Sequence, residues 1–415
     1  MTNLERLIQE LCPNGVEYKK LGDVATISRG GNFQKKDFVE QGVPCIHYGQ
    51  IYTKYGLFVD STLTFISEEK AKKQKMAVKN DVIMAVTSEN LEDVCKSLAW
   101  LGDEDVAVSG HSAIIHHTLN PKYLVYYLHT EHFNSQKRKL AHGTKVIEVT
   151  PDRLNDVMLP VPPLEVQREI VHILDSFTLL TAELTAELTA RKKQYEFYRN
   201  TLLTFDNTVK IVSLADIADI GTGSSNTNEG LEEGKYPFYV RSQEPLRKNE
   251  YEYDETAIIT AGDGVGVGKV FHYVEGKYAL HQRAYRIHIN TPDVLPRYYF
   301  HYMRSAFLPY IQKTMFQGSV ASIRRPMLNQ FPVPVPTLEV QKKLVNVLDN
   351  FESICTDLNI GLPAEIEARQ KQYEYYRDLL LTFAETGSTL LTDRQTDRQT
   401  DRQTDRQTDR QTDRQ

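Results

Sequence analysis

At 415 residues, 40% hydrophobic and 25% charged, the chain exceeds one ordinary domain and has material for two or three buried cores. Its formal net charge of -6 gives no global attraction for phosphate, and no stretch approaches the roughly 20 apolar residues that cross a bilayer, so a soluble, cytoplasmic protein without membrane contact is predicted. The four cysteines, Cys12, Cys45, Cys95 and Cys355, lack any paired spacing for a disulfide framework or a zinc site and fit a reducing compartment.

Residues 1–14 read as a short amphipathic helix, not a signal peptide. Residues 15–160 read as a mixed α/β globule, in which β-branched runs such as DVIMAV from Asp81 and AIIHH from Ala113 are strands and Leu124–Leu128 is helical. This segment carries 18 basic and 18 acidic residues, so the acidity of the chain lies elsewhere. His111, His116 and His117 have no cysteine nearby and read as core or surface residues, not metal ligands. Asn120-Pro121-Lys122-Tyr123 approaches the Asn-Pro-Pro-Tyr-like tetrapeptide of amino-methyltransferases but departs at its third position, which argues against methyl transfer. Basic side chains mixed with aromatics have the composition that reads base edges and grips phosphate. In this globule they are Lys35, Lys36, Tyr48, Lys54, Tyr55, Lys145 and Arg153, with an ordinary charged surface as the other reading of each.

Residues 161–208 open on prolines and Glu165, then place Ile170, Ile173, Phe177, Leu180, Leu184, Leu188, Tyr195, Tyr198 and Leu202 near the coiled-coil period. A helix of about 40 residues extends on the order of 60 Å. Its stripe is buried either against a second such helix or against its own globule. The run TAELTAEL, Thr181–Leu188, repeats a four-residue unit. One added unit lengthens a helix by about 6 Å and turns its end by about 40°, close to one base-pair step, so copy number is expected to tune a half-site spacing. A slippage product without a role is the other reading.

Residues 209–336 form a second mixed globule with strands at TAIIT from Thr256 and YRIHI from Tyr285, and with 14 basic and 13 acidic residues. AGDGVGVGK, Ala261–Lys269, fails as a phosphate loop: the first glycine would fall on Asp263, and Val270 follows the lysine. It reads as a flexible loop whose backbone comes close to DNA. The expected contacts here are Arg241, Ser242, Lys269, Arg283, Ser319, Arg324 and Arg325. Residues 337–385 repeat the helical pattern with Leu344, Val347, Phe351, Ile354, Leu358, Ile366, Tyr373, Tyr376 and Leu380, but Gly361-Leu362-Pro363 predicts a break. Residues 386–415 end in six copies of TDRQ, which carry no apolar side chain and are expected to be disordered. A coding tract of repeated ACAG would shift frame by slippage, which suggests phase variation; a twelve-nucleotide repeat slipping in frame is the competing explanation.

The second half restates the first. VPPLEVQREIVHILD from Val161 answers VPTLEVQKKLVNVLD from Val335, and RKKQYEFYRNTLLTF from Arg191 answers RQKQYEYYRDLLLTF from Arg369. LGDVATI from Leu21 answers LADIADI from Leu214, and PKYLVYYLH from Pro121 answers PRYYFHYMR from Pro296. In combination with the TAEL repeat, these motifs make residues 1–385 resemble the specificity subunit of type I restriction-modification systems. The resemblance implies an α/β (mixed) fold of two target recognition domains separated by two long antiparallel coiled-coil helices, with a pseudo-twofold internal repeat. It implies a non-catalytic chain that binds double-stranded DNA and two modification subunits, joined by restriction subunits. S-adenosylmethionine, ATP and Mg belong to those partners. Gln167, Gln194, Tyr195, Gln341, Gln372 and Tyr373, repeated in both helices, are the residues expected to dock them. A single-chain modification enzyme and a coiled-coil adaptor without DNA binding are the alternatives.

Overall fold

The computed structural model describes residues 2–314 and 322–382. Ser319 and the TDRQ tail lie outside them. Two compact units divide the chain: Met1–Ala182 with the segment from Glu367, and Glu183–Ile366. Both divisions fall inside helices, Leu164–Leu202 and Leu362–Thr382. No described helix is long and apolar enough to cross a membrane, and all four cysteines are free and buried.

In the first unit, Thr2 caps the helix Asn3–Leu11 by accepting from the Glu5 N–H while the Glu5 carboxylate accepts from the Thr2 N–H. One five-stranded sheet runs Ala25–Arg29, Ser112–His117, Val82–Ala85, Ser97–Trp100, Phe58–Val59; the other runs Phe38–Val39, Thr64–Ile66, Val43–Ile46, Val106–Val108, Met76–Ala77. Val82–Ala85 and Ser97–Trp100 are buried at every position, which is why Val82–Ala85 reads as a continuous apolar run instead of an alternating one. Asn120 caps the helix Pro121–Tyr127 by accepting from the Lys122 and Tyr123 N–H groups. The near-tetrapeptide is thus a helix start. Tyr123 and Tyr127 then donate their hydroxyls to the carbonyls of Pro160 and Met158, pinning the strand that leads into the long helix.

The second unit repeats this plan with two four-stranded sheets. They run Ala218–Thr222, Ala284–Ile289, Ala257–Ala261, Phe271–Val274 and Leu246–Lys248, Tyr236–Tyr239, Lys277–Leu280, Tyr253–Asp254. Tyr298 and Tyr302 donate to the carbonyls of Pro334 and Pro332, at 2.9 and 3.1 Å. The repeated Pro-Lys-Tyr and Pro-Arg-Tyr segments are therefore packing devices shared by both units.

The helix Leu164–Leu202 runs unbroken through TAELTAEL. Its first half buries Val166, Ile170 and Leu174 in the core of the first unit, and Phe177 stacks on Tyr376 of the helix Leu362–Thr382 at 5.5 Å. Its second half buries Tyr195 in the core of the second unit, and Tyr198 packs on Phe351 of the helix Leu338–Thr356 at 5.6 Å. In that unit Phe351 faces Tyr198 while Cys355 senses Arg191 and Lys192, so the two helices run antiparallel there. Both readings of the apolar stripe hold: the helices pack on globules and on each other. The predicted break falls at residues 357–361, where Gly361 is needed because a Cβ would sit 2.6 Å from the Ser353 and Asp357 carbonyl oxygens. Leu4 shares one core with Leu380 and Leu381, which closes the first unit.

Charged and polar anchors fix each globule to its helix. In the first unit, Lys122 Nζ lies 2.6 Å from Asp175 and Tyr126 donates to the same carboxylate at 2.7 Å. In the second, Arg297 bonds Asp349 at 2.8 Å and Glu352 at 2.9 Å, His301 lies 2.7 Å from Asp349, and Arg304 pairs with Glu352. His301, Asp349 and Glu352 are close enough to hold a metal, but both carboxylates are already neutralised by arginines, which makes this an ion-pair anchor.

Two residues expected to dock partners are instead part of this anchoring. Gln167 is 1% exposed: its Oε1 accepts from the Asn120 N–H and its Nε2 donates to the Pro162 carbonyl. Gln341 is fully buried and does the same with Leu295, Asp293 and Pro336. Tyr195 is buried too. Gln194 and Gln372 are half-buried and accept from Arg191 and Arg369, and Tyr373 packs edge-on against Tyr126. Gln167 and Gln341 repeat because both units use the same internal clamp.

Candidate nucleic-acid interface

The sheet registers define which positions of the two units correspond. Val108 pairs with Ile46 in the first unit as Leu280 pairs with Tyr239 in the second, and Ser112 pairs with Ala85 as Ala284 pairs with Ala261. Counting from these pairs, Tyr48 corresponds to Arg241, Thr87 to Asp263 and His111 to Arg283. Tyr48, Arg241, Asp263, His111 and Arg283 lie just past or just before ends of these strands, and buried Thr87 starts the short strand Thr87–Ser88 that follows Val82–Ala85.

In the first unit these strand ends line a cleft of about 860 Å³. The Tyr48 ring lies 4.6 Å from that of His47 and 4.9 Å from that of His111, and the His111 Nδ1 is 3.1 Å from the Thr87 hydroxyl. Burial first, then the positive charge of nearby Lys35, pushes the His47 imidazole below its ordinary value. Arg29 closes one side by pairing with Glu148 and by donating to the Gly110 carbonyl at 2.9 Å. Gly30 permits this close packing, since a Cβ there would lie 2.2 Å from the Ser109 carbonyl oxygen. Lys35 and Lys36 stand exposed on the rim, and exposed Lys145 precedes Val146, which lines the cleft. The cleft thus combines aromatic faces, neutral hydrogen-bonding groups and a basic rim, the mixture that contacts bases and phosphates.

Other expected contacts serve the fold. The Tyr55 hydroxyl accepts from the Leu63 N–H and its ring packs with the Trp100 core, while burial raises its phenol above the ordinary value. Arg153 donates to the Leu140 carbonyl, bracing the loop that carries Lys145. Lys54 is exposed at the end of the helix Tyr48–Thr53 and is not part of the cleft. His116 and His117 sit at the far end of the strand from His111: His116 pairs with Asp81 at 2.7 Å and His117 accepts from the Leu119 N–H, so the three do not converge.

In the second unit, Arg241 and Arg283 reach the two oxygens of Asp263 at 2.7 and 3.0 Å. Partial burial opposes ionisation of Asp263, but the two guanidinium groups outweigh it and hold the carboxyl below the usual carboxylate range. Exposed Arg324 and Arg325 start the helix Arg325–Asn329, next to Ile323, whose N–H bonds the Gly262 carbonyl at 2.8 Å. Exposed Ser242 donates its hydroxyl to the Glu244 carbonyl at 2.8 Å, within its own turn. Exposed Lys269 lines a separate cleft of about 570 Å³ with Arg297 and Glu352.

The glycine-rich loop has a packing role that spacing alone did not show. A Cβ on Gly262 would lie 2.6 Å from the Arg283 carbonyl oxygen, and one on Gly266 would lie 2.6 Å from that of Arg241. Only glycine lets the loop bring Asp263 against both arginine-bearing turns. Sequence reasoning missed Thr87, Asp263, His47 and the place of His111 beside Tyr48, because strand register and not local sequence brings them together.

A profile for the type I restriction modification DNA specificity domain matches residues 13–191 and again 207–368. The chain is 35% identical over 290 residues to the type I restriction enzyme EcoR124I/EcoR124II specificity subunit of Escherichia coli, covering 63% of this chain and 70% of that protein. It is 31% identical to a putative type I specificity subunit of Haemophilus influenzae, covering 64% and 73%. Among solved structures, one described as the basis of complex assembly and conformational transition of the type I R-M system matches 89% of this chain and 98% of its own at a TM-score of 0.62 and 16% identity. The HsdS subunit of Thermoanaerobacter tengcongensis matches 89% and 97% at a TM-score of 0.53. With a duplicated profile over most of its length and a fold built twice on the same clamps, the chain belongs to the type I restriction-modification DNA specificity family.

Proposed function

We propose that the chain is the DNA-reading subunit of a type I restriction-modification complex, each unit contacting one half of an interrupted, asymmetric duplex target. One observation carries this: the same strand ends converge in both units but present different chemistry, Tyr48, Thr87 and His111 in one and Arg241, Asp263 and Arg283 in the other. A shared scaffold with unlike tips is what two dissimilar half-sites require. Linked readers gain avidity only when their spacing matches the target, which gives the long helix its role as a spacer.

Two modification subunits dock on the helices and supply S-adenosylmethionine chemistry; restriction subunits add the ATP- and Mg-dependent steps. Exposed apolar side chains on the helices, Leu179 and Tyr375 in the first unit and Phe197 in the second, at 62%, 56% and 64% exposure, support that docking better than the buried glutamines. Methylation mapping of the host genome with the gene intact and deleted tests the proposal. A bipartite methylated motif that disappears on deletion is expected; an unchanged methylome refutes it.

A further inference from the structure

We infer that Arg241 and Arg283, aligned by the carboxylate of Asp263, are the specificity-determining residues of the second unit and select guanine in its half-site. The inference rests on the DNA-reading role proposed above and names the chemistry of that reading.

Arg241 and Arg283 come from two different turns, and Asp263 from a third. Each guanidinium gives one nitrogen to a separate oxygen of the same carboxylate, yet both arginine side chains stay open to solvent, at 41% and 63%, while Asp263 is at 18%. An exposed arginine ordinarily loses much rotamer freedom on binding. Here one carboxylate restrains both forks in advance, which lowers that cost.

A group that only gripped phosphate would gain nothing from an adjacent carboxylate, whose charge repels the backbone and cancels one of the two positive charges. A base reader gains: a planar guanidinium offers paired N–H donors that match the O6 and N7 acceptors of guanine, and a carboxylate accepts from the cytosine N4 amino group. The Arg-Asp-Arg set therefore fits G·C pairs. The corresponding positions in the first unit, Tyr48, Thr87 and His111, lack that fork, so the two units should differ in base preference at matching places. Gly262 and Gly266 act as positioning residues, since they admit the backbone contacts that hold the set together.

The test is selection of duplexes from a randomised library by the full chain, comparing wild type with Arg283→Ala, Arg283→Lys and Arg241→Ala. Loss of a guanine preference of roughly ten- to hundredfold at a position in one half-site is expected, with the other half unchanged. Arg283→Lys should lose the preference while keeping the salt dependence of binding, because it retains charge without the fork; it also decides the matter should the alanine variant not fold. Weaker binding to all sequences with base preference intact would overturn the inference and leave the DNA-reading role standing. A wild-type chain that enriches no bipartite sequence would overturn both.

Discussion

Gln341 offers a direct way to separate a partner contact from an internal clamp. Its fully buried amide accepts from the Leu295 N–H at 2.8 Å and donates to the Asp293 and Pro336 carbonyls, both at 2.8 Å. Gln341→Ala strands one backbone donor and weakens two acceptors. An unsatisfied buried group costs about 1–3 kcal/mol, and the two lost carbonyl bonds and the small void add to it, giving about 2–4 kcal/mol. Gln194, half-buried and bonded only to Arg191 three residues away, should lose no more than about 0.5 kcal/mol as alanine. Urea unfolding of the full chain, followed for the transition of the second unit, measures the contrast. The clamp reasoning fails if Gln341→Ala is no more damaging than Gln194→Ala.

Acid should weaken the first unit in a defined window. Burial, followed by the charge of His116, depresses His117 to about 4, and burial also depresses His129 to about 4. The unfolded chain binds these protons near pH 6.5 and the folded one does not, so this stability is complete above about 6.5 and falls as pH drops towards 4. The slope is up to about 1.4 kcal/mol per pH unit per histidine, and in unfolding measured across this range His117→Asn should remove one histidine's share; an unchanged slope contradicts the assignment. Tyr298→Phe, which deletes a buried 2.9 Å bond to Pro334, should cost about 0.5–1.5 kcal/mol in the same assay, and a neutral result would show that the bond does not hold the connecting strand. Gly30→Ala should reduce selection for the first half-site only, since the clash with Ser109 displaces that cleft's wall; equal losses in both halves would refute the separation.

Much of the architecture was legible because packing repeats. Tyr123 and Tyr298 bond the carbonyls of Pro160 and Pro334, and Gln167 and Gln341 clamp matching turns, so selection for the same contacts wrote the same words twice. The repetition did not reveal which way those side chains face. Gln167 and Gln341 read as a shared docking surface, yet both point inward, because a partner and an internal clamp leave the same mark on one sequence. The break at Gly361-Leu362-Pro363 was readable from backbone chemistry alone. The proposed reader positions were only half readable: Tyr48, Arg241 and Arg283 were expected contacts by residue type, whereas Thr87, His111 and Asp263 come beside them through strand pairing across tens of residues. The glycine run was read as a flexible loop near DNA, but its spacing answers to the carbonyls of Arg283 and Arg241.

The central claim is that two unlike readers on one repeated scaffold act independently on two halves of a target. Methylome sequencing of hosts carrying either Tyr48→Ala with His111→Ala or Arg241→Ala with Arg283→Ala tests it most directly. Each pair should degrade one half of the methylated motif, a different half in each case, and leave the other half and the spacing intact. Loss of both halves together with either pair, in protein that remains folded, would contradict the claim.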